Sequence, residues 1–216
     1  MALVDADYCF LFADCGCQGR LSDGAVFRNT ELFRRIENDQ LHYPPDEQLI
    51  GRTKPVPYVF VGDDAFGLSK RILKPYPGLH EKGSKQRIFN YRVSRARRVV
   101  ENVFGIMASV FRVLRKPLLL QPEKASLIVM TCVVLHNFLR KSKESRSHYS
   151  PPGTFDFEED GNLIPGSWRQ DHDNLSSLLP LHRVPRKPSM EAKDIRNEFA
   201  EYFVTSGKVE WQDNYC

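Results

Sequence analysis

The chain has 216 residues, of which 41% are hydrophobic and 27% are charged, and its formal net charge is +4. This length allows a hydrophobic core of ordinary size, and the composition excludes a fibrous or wholly disordered protein. No apolar run reaches the roughly 18 residues of a membrane span, and the N-terminus meets Asp5 before any basic residue, unlike a signal peptide. We therefore expect an intracellular protein that is not bound to a membrane.

The first half of the chain alternates short β-like runs with one helix. The runs are rich in aromatic and β-branched residues, and Gly, Pro, Asn and Asp separate them. Thr30 is a typical residue for a helix start. In chain order, the predicted elements are a hairpin of residues 2–4 and 8–13, a loop over 16–24 that can include a third strand, a helix over 31–40, a strand over 58–62 and a helical turn over 68–73.

The second half is dominated by long helices. A helix over 90–111 is predicted by an apolar stripe with a 3.6-residue period, formed by Val93, Val100, Phe104, Met107 and Phe111. Pro122 predicts the start of a further helix over 123–140, which we expect to be buried on most faces because it is apolar all round. Further predictions are a loosely ordered region over 141–188, rich in Ser, Pro, Asp and Arg, and a last helix over 190–203.

This order of elements predicts an α/β protein with a mixed sheet. Five cysteines, an odd number with no CxxC pair, indicate thiols rather than disulfides or a zinc site. The six histidines show no pattern of metal ligands, and His136 is interpreted as a histidine of the core.

Three carboxylates have positions that suggest a metal site. Asp5 and Asp63 follow predicted strands, and Glu101 lies on the polar side of the predicted 90–111 helix. If the three converge, their repulsion requires hard cations such as Mg²⁺ or Mn²⁺, and two such ions can clamp a phosphodiester. The alternative is that the aspartates are ordinary turn residues and that Glu101 pairs with Arg97, four positions earlier.

The segment over 86–116 is basic and offers a second kind of candidate site. Arg92, Arg95 and Arg98 are spaced three apart, so they lie on neighbouring turns of one side of a helix. Such a side can hold the phosphate backbone of DNA without reading its sequence. The alternative is a solvated helix surface.

Several stretches resemble the DDE-type transposases of the PIF/Harbinger superfamily and the nucleases domesticated from them. They are VDADYCF at 4–10, GRLSDGAVFRNTEL at 19–32, GDDAF at 62–66, SRARRVVENVFG at 94–105 and LHNFLR at 135–140. The resemblance implies an RNase H-like fold, a mixed sheet flanked by helices, as a nuclease core over 1–140. A variable region over 141–189 and a C-terminal helix and tail over 190–216 would follow it.

The resemblance also implies the site. The two catalytic aspartates of the family fall on Asp5 and Asp63, and its glutamate falls on Glu101. These three residues would bind Mg²⁺ or Mn²⁺ and cleave DNA, while Asp64 would cap the following turn and Asp7 would be a neighbour without a ligand role.

The implied partners are DNA and a separate Myb-like DNA-binding protein, and the implied location is the nucleus, with the cytoplasm as an alternative. Full-length relatives carry a helix-turn-helix-like region ahead of the first catalytic strand, where this chain begins. We therefore expect DNA binding that is nearly blind to sequence. Two other functions stay open: a catalytically idle domesticated protein that binds DNA or protein, and an RNase H-like enzyme that cleaves RNA.

Overall fold

The computed structural model describes residues 1–17, 23–159, 162–171 and 187–215. The elements are, in chain order, β1 Ala2–Val4, β2 Phe10–Ala13, α1 Asp23–Arg28, α2 Glu31–Glu37, β3 Glu47–Gln48, β4 Pro55–Val56, β5 Phe60–Val61, β6 Ile72–Leu73, α3 Lys85–Val110, α4 Pro122–Lys141, α5 Lys143–Tyr149, β7 Phe157–Glu159, β8 Asn162–Ile164 and α6 Met190–Val204. Short 3₁₀ helices lie at Arg112–Arg115, Ser167–Asp171 and Gln212–Asn214.

The chain divides into two compact units, each made from two separate stretches of sequence. The first unit combines Met1–Leu21 with Arg98–Pro180, and the second combines Ser22–Arg97 with Leu181–Cys216. The long helix α3 begins in the second unit and ends in the first. The division into a nuclease core over 1–140, a variable region over 141–189 and a C-terminal part over 190–216 stays a prediction.

The core of the first unit joins the β1–β2 hairpin to helices α3 and α4. Phe10 of the hairpin packs with Val103 and Met107 of α3 and with Cys132 and Val133 of α4. These side chains are at most 7% exposed, so the hairpin is fixed against both helices by apolar burial.

The core of the second unit is built around the first turns of α3. Phe89 and Val93 pack with Leu73 of β6 and with Ile195 and Ala200 of α6. The side chain of Ser189 caps α6 by accepting a hydrogen bond from the backbone N–H of Ala192, which satisfies a donor that the helix itself leaves without a partner.

Strands occur only in pairs among the described residues. Three sheets are antiparallel, β1–β2, β3–β4 and β7–β8, and β5–β6 is parallel. The prediction of an α/β protein is confirmed. Since the described strands form four separate two-stranded sheets, an RNase H-like sheet stays a prediction.

Most predicted elements are present with shifted ends. The first hairpin, α2, α3, α4 and α6 are confirmed, and Thr30 caps α2 as expected. The helical turn predicted over 68–73 is wrong: Ile72–Leu73 is a strand, held by hydrogen bonds from Phe60 N to Arg71 O and from Gly62 N to Leu73 O. The third strand expected within residues 16–24 falls partly outside the described residues. The last residues of that range, from Asp23 onward, belong to helix α1.

Burial on the long helices differs from the predicted stripes. On α3, Val103 and Ile106 are fully buried, whereas Phe104 is 43% exposed. Helix α4 is buried on one side only, since Leu127 and Phe138 are 68% and 66% exposed. The prediction of a helix buried on most faces was therefore wrong. Over the described residues, no helix has the length and apolar character to cross a membrane.

Candidate active site

Asp5 lies in the loop between β1 and β2 and shapes that loop. Its Oδ1 accepts hydrogen bonds from the backbone N–H of Asp7 at 3.0 Å and of Cys9 at 2.8 Å. Its own N–H donates to the carbonyl of Cys9 at 2.9 Å, and Tyr8 takes a left-handed φ of 62° to close the turn. No described residue bonds Oδ2, so this oxygen is available as a ligand atom.

Helix α4 holds this turn through the polar residues of the LHNFLR segment. Asn137 exchanges two hydrogen bonds of 2.8 Å with the backbone of Phe10, one from Nδ2 to the carbonyl and one to Oδ1 from the N–H. His136 Nε2 bonds the carbonyl of Tyr8 at 2.7 Å, and Arg140 Nη2 donates to the carbonyl of Asp7 at 2.8 Å. The three side chains therefore fix the backbone that follows Asp5.

The protonation of His136 follows from these partners. The carbonyl of Tyr8 only accepts, so Nε2 carries the proton, and in the neutral ring Nδ1 accepts from the hydroxyl of Tyr149 at 2.7 Å. Burial, together with the nearby charge of Arg140, lowers the pKa of His136 below its ordinary 6.5. The interpretation of His136 as a core histidine is confirmed, because its side chain is fully buried.

Asp63 lies in the second unit, directly after β5. Its Oδ1 accepts a hydrogen bond from the backbone N–H of Ala65 at 2.8 Å. From the sequence we expected Asp64 to cap this turn, but at the Ala65 N–H the capping group is the side chain of Asp63. A Cβ added to Gly62 would lie 3.0 Å from the ring of Phe66, which explains the glycine of the GDDAF segment by close approach.

Basic side chains surround the Asp63 turn. Arg97 Nη2 is 3.5 Å from Oδ2 of Asp63, and both side chains are about 30% exposed. Lys74 Nζ donates to the carbonyls of Asp64 and Phe66 at 2.6 and 2.7 Å. The alternative pairing of Arg97 with Glu101 is therefore not the one observed.

Glu101 is an exposed residue of α3 in the first unit. Arg169 Nη2 is 4.0 Å from its Oε2, but the same guanidinium makes shorter bonds, of 2.5 to 3.1 Å, to both oxygens of Asp156. Burial opposes the charge of Asp156, but hydrogen bonds from Arg169 and from the N–H of Gly166 outweigh it and lower the pKa of Asp156. Arg169 is thus held mainly by Asp156, and Glu101 keeps oxygens that can bind another cation.

The next turn of α3 explains the end of the SRARRVVENVFG segment. Buried Asn102 accepts through Oδ1 from Asp156 N–H at 2.9 Å and from Trp168 Nε1 at 2.8 Å. Gly105 leaves room for the indole, since an added Cβ would lie 2.1 Å from Trp168. Part of the region predicted as loosely ordered is therefore packed on α3 next to Glu101, and the segment over 172–186 lies outside the described residues.

The predicted triad draws on both units, with Asp5 and Glu101 in the first and Asp63 in the second. Within either unit, the described residues contain no group of three His, Cys, Asp or Glu side chains that could hold a metal ion. The donor chemistry fits Mg²⁺ or Mn²⁺, because carboxylate oxygens are the ligands these ions prefer, and none of the three acids is tied to a cation by a short bond. The metal site stays a prediction.

The three arginines predicted to bind DNA all have contacts within the protein. Arg92 donates to Gly207 O at 3.1 Å and to Gln212 Oε1 at 3.2 Å. Arg95 stacks 3.7 Å from the ring centre of Trp211, and Arg98 pairs closely with Glu158. These contacts give the arginines a structural role, and their binding to DNA stays a prediction.

The residues that support the acids were not predicted from the sequence. Asn102, Asn137 and Arg140 lie in the stretches SRARRVVENVFG and LHNFLR, which carry the family resemblance, but the sequence did not indicate a role for them. The available signal was polar residues set among apolar ones on a helix, which indicates buried hydrogen bonds. Their partners could not be found in this way, because Asn137 and Phe10 are 127 positions apart.

A comparison with protein families gives a match over more than half of the chain. The family described as DDE superfamily endonuclease matches residues 1–137, a range that includes Asp5, Asp63 and Glu101. The chain belongs to this family. The resemblance to DDE transposases that the sequence suggested is confirmed at this level.

A curated relative gives a second comparison. Protein ALP1-like from Arabidopsis thaliana is 29% identical over 140 residues, which are 64% of this chain and 34% of the relative. The matched part of this chain thus spans about a third of that relative's length. No solved structure matches the chain significantly.

Proposed function

We propose that this DDE-family chain is a divalent-metal-dependent DNA endonuclease of transposase origin that uses Asp5, Asp63 and Glu101. One observation carries the proposal: the family match runs across all three acids, and each is at least partly exposed to solvent. The RNase H-like sheet of the family is part of the same proposal.

Each acid would contribute oxygen ligands, and the three acids differ in the local contacts that hold them. When bound, Mg²⁺ or Mn²⁺ would supply the activation of water and the stabilisation of the leaving oxygen in phosphodiester hydrolysis. Asp5 keeps its Oδ2 for this purpose while its Oδ1 holds the turn. Arg97 lies 3.5 Å from Asp63 and Arg169 lies 4.0 Å from Glu101, and each partly balances the charge of its acid. Because such partly exposed ion pairs contribute little energy, a metal ion can displace them at modest cost.

The proposed substrate is DNA, the proposed location is the nucleus, and the proposed partner is a separate Myb-like DNA-binding protein. These follow from the resemblance to Harbinger-type transposases. The net charge of +4 is compatible with a polyanionic substrate.

A catalytically idle module that binds DNA or protein is the second candidate. The two ion pairs favour it, since Arg97 and Arg169 already neutralise part of the charge that would attract a metal ion. A catalytically idle protein would keep the same fold but would not bind the divalent metal ion.

Nicking of supercoiled plasmid in Mn²⁺ or Mg²⁺ separates the two candidates. We expect activity in the wild type and its loss in Asp5→Asn and Asp63→Asn, by about 10³-fold or more because each removes a charged ligand of the reaction centre. Asp7→Asn and Asp64→Asn are matched controls on the neighbouring acids and should stay active. Equal activity in Asp63→Asn and Asp64→Asn would refute the assignment, and an inactive wild type that still binds DNA would support the idle module.

Manganese binding gives an independent test of the third acid. Calorimetric titration should show Mn²⁺ binding that disappears in Glu101→Gln. Glu123→Gln, a change of the same type in the first turn of α4, is the control. Unchanged binding in Glu101→Gln would remove Glu101 from the site.

A further inference from the structure

An open surface pocket of about 670 Å³ lies in the first unit, next to the turn that follows Asp5. It is bordered by the hairpin loop, by the end of α4, by α5 and by the chain before β7. Its charged and aromatic lining consists of Asp7, Tyr8, Arg140, Lys143, Arg146 and Phe155, together with Asp156 and Phe157. The three acids of the proposed nuclease site are not among the residues that line it.

Arg140 is one of the residues that line this pocket and is only 5% exposed. Its Nη1 donates to the hydroxyl of Ser150 at 2.6 Å, and its Nη2 donates to the carbonyl of Asp7 at 2.8 Å. Both acceptors are neutral, and the buried Nε has no hydrogen-bond partner. Across the part of the chain that the structure describes, no carboxylate lies within ion-pair distance of Arg140.

A buried cation without a counter-ion is unusual, because burial removes its hydration. Around Arg140 that hydration is replaced by two neutral hydrogen-bond acceptors and by the rings of Tyr8 and Phe155, 5.6 and 5.0 Å from the guanidinium carbon, and not by an opposite charge. Burial and the charge of Arg146 both lower the pKa of Arg140. An anion in the pocket would supply the missing partner.

The rest of the lining adds to the positive charge. Lys143 and Arg146 are exposed residues on α5. Of the two carboxylates, Asp156 is committed to Arg169, so only Asp7 opposes the three cations. The hydroxyl of Ser147 also borders the pocket and is able to donate to an oxyanion, whereas the hydroxyl of Ser150 already donates to the carbonyl of Arg146 at 3.2 Å.

We propose that this pocket, which we call the Arg140 pocket, binds a phosphate group. Guanidinium and ammonium groups with a nearby hydroxyl form the donor set that phosphate oxygens take up through charge-assisted hydrogen bonds. The phosphate comes either from a DNA backbone or from the free anion. The assignment of the phosphate to DNA rests on the proposed function, whereas phosphate binding by the pocket does not.

Inorganic phosphate is the first probe, titrated into the full chain by calorimetry in EDTA so that no metal contributes. The double variant Lys143→Ala/Arg146→Ala changes exposed residues and should fold normally. We expect at least a tenfold weaker phosphate affinity in this variant. Arg112→Ala/Lys124→Ala removes one arginine and one lysine from exposed positions elsewhere in the first unit and should keep wild-type affinity.

Two results of this titration would overturn the proposal. One is a wild type that shows no phosphate binding. The other is an equal loss of affinity in the pocket variant and the control variant, which would show a general effect of net charge.

Duplex DNA is the second probe and identifies the source of the phosphate. Binding is followed by fluorescence anisotropy in EDTA over a series of salt concentrations. If the pocket takes one backbone phosphate, the slope of log K against log salt should fall in magnitude by about 0.9 in the pocket variant and not in the control. A phosphate affinity that falls with an unchanged DNA slope would assign the pocket to the free anion and overturn the DNA source.

Both probes are used without metal, so their results are independent of cleavage. A chain that nicks no plasmid but loses phosphate affinity in the pocket variant would refute the nuclease and support the pocket. If the wild type nicks plasmid and the pocket variant binds phosphate as tightly as the wild type, the nuclease is supported and the pocket is refuted.

Discussion

The Asp5 turn and the Asp63 turn both follow short strands, but different kinds of interaction support them. The Asp5 turn is held by neutral hydrogen bonds from fully buried His136 and half-buried Asn137, in addition to the bond from buried Arg140. The Asp63 turn is held by the bond from Ala65 N–H to the Asp63 carboxylate and by bonds from Lys74 to two carbonyls of the turn, and the partly exposed cation Arg97 lies nearby. A buried hydrogen bond is costly to lose, whereas a partly exposed ion pair contributes little stability.

This difference teaches that the two acids should respond differently to changes in their surroundings. Changes around Asp5 should act on stability, because they leave buried polar groups without partners. Changes around Asp63 should act on the electrostatic potential at the carboxylate and hardly on stability. The following experiments test this contrast, beginning with the largest expected effect.

The largest effect on stability is expected from His136→Ala. The change leaves a cavity and removes the partner of both Tyr8 O and the Tyr149 hydroxyl, so we expect a loss of about 3 kcal/mol in the free energy of unfolding. Urea denaturation measures it. His148→Ala, at an exposed position of α5, is the control and should change the free energy by less than about 0.5 kcal/mol. Similar losses in both variants would break the comparison.

Asn137→Ala should destabilise by about 2 kcal/mol, because it removes both bonds to the Phe10 backbone from a half-buried position. Hydrogen exchange gives a local readout, since the Phe10 amide should exchange faster in the variant. Thr131→Ala serves as the control because the exposed Thr131 hydroxyl donates to Leu127 O of its own helix and, among the described residues, to no group of the hairpin. An unchanged Phe10 amide would show that Asn137 does not hold the hairpin.

A smaller effect is expected from pH. Burial lowers the pKa of folded His136, so below 6.5 the unfolded chain takes up a proton that the folded chain does not. The stability from neutral His136 is therefore present above pH 6.5 and is lost as pH falls below it, with a slope of at most about 1.4 kcal/mol per pH unit. Urea midpoints between pH 7.5 and 5.5 measure the slope. A conservative variant, His136→Gln, should flatten it, and an equally steep slope in that variant would assign the effect to another group.

The smallest change in stability is expected from Arg97→Gln, at less than about 1 kcal/mol. Its effect should instead be seen in metal binding, because removal of a cation 3.5 Å from Asp63 lowers the repulsion of an incoming ion. We expect a few-fold tighter Mn²⁺ binding by calorimetry. Arg87→Gln, at an exposed position on the same helix, controls for net charge. Weaker binding in Arg97→Gln would show that Arg97 positions Asp63 rather than competing with the metal.

The sequence alone determined the local elements and the family. Caps and prolines mark helix ends by local chemistry, so Thr30 at α2 and Pro122 at α4 were predictable. The order of strands and helices determined the α/β class, and the resemblance of its motifs to those of DDE transposases was enough to recognise the family. The candidate acids were found in the same way, because each stands in a motif that is readable in one stretch of chain.

Only the tertiary structure decided which side chains meet. The sequence placed Arg97 beside Glu101 on one helix, but Arg97 pairs with Asp63, 34 positions away. It predicted Phe104 as buried and left out Val103, because a period of 3.6 residues does not say which face of α3 meets the hairpin. The strand β6 forms from a segment that also suits a helical turn, since a parallel partner supplied its hydrogen bonds. Pairing energies depend on groups that are distant in sequence, and local propensities of less than about 1 kcal/mol per residue cannot outweigh them.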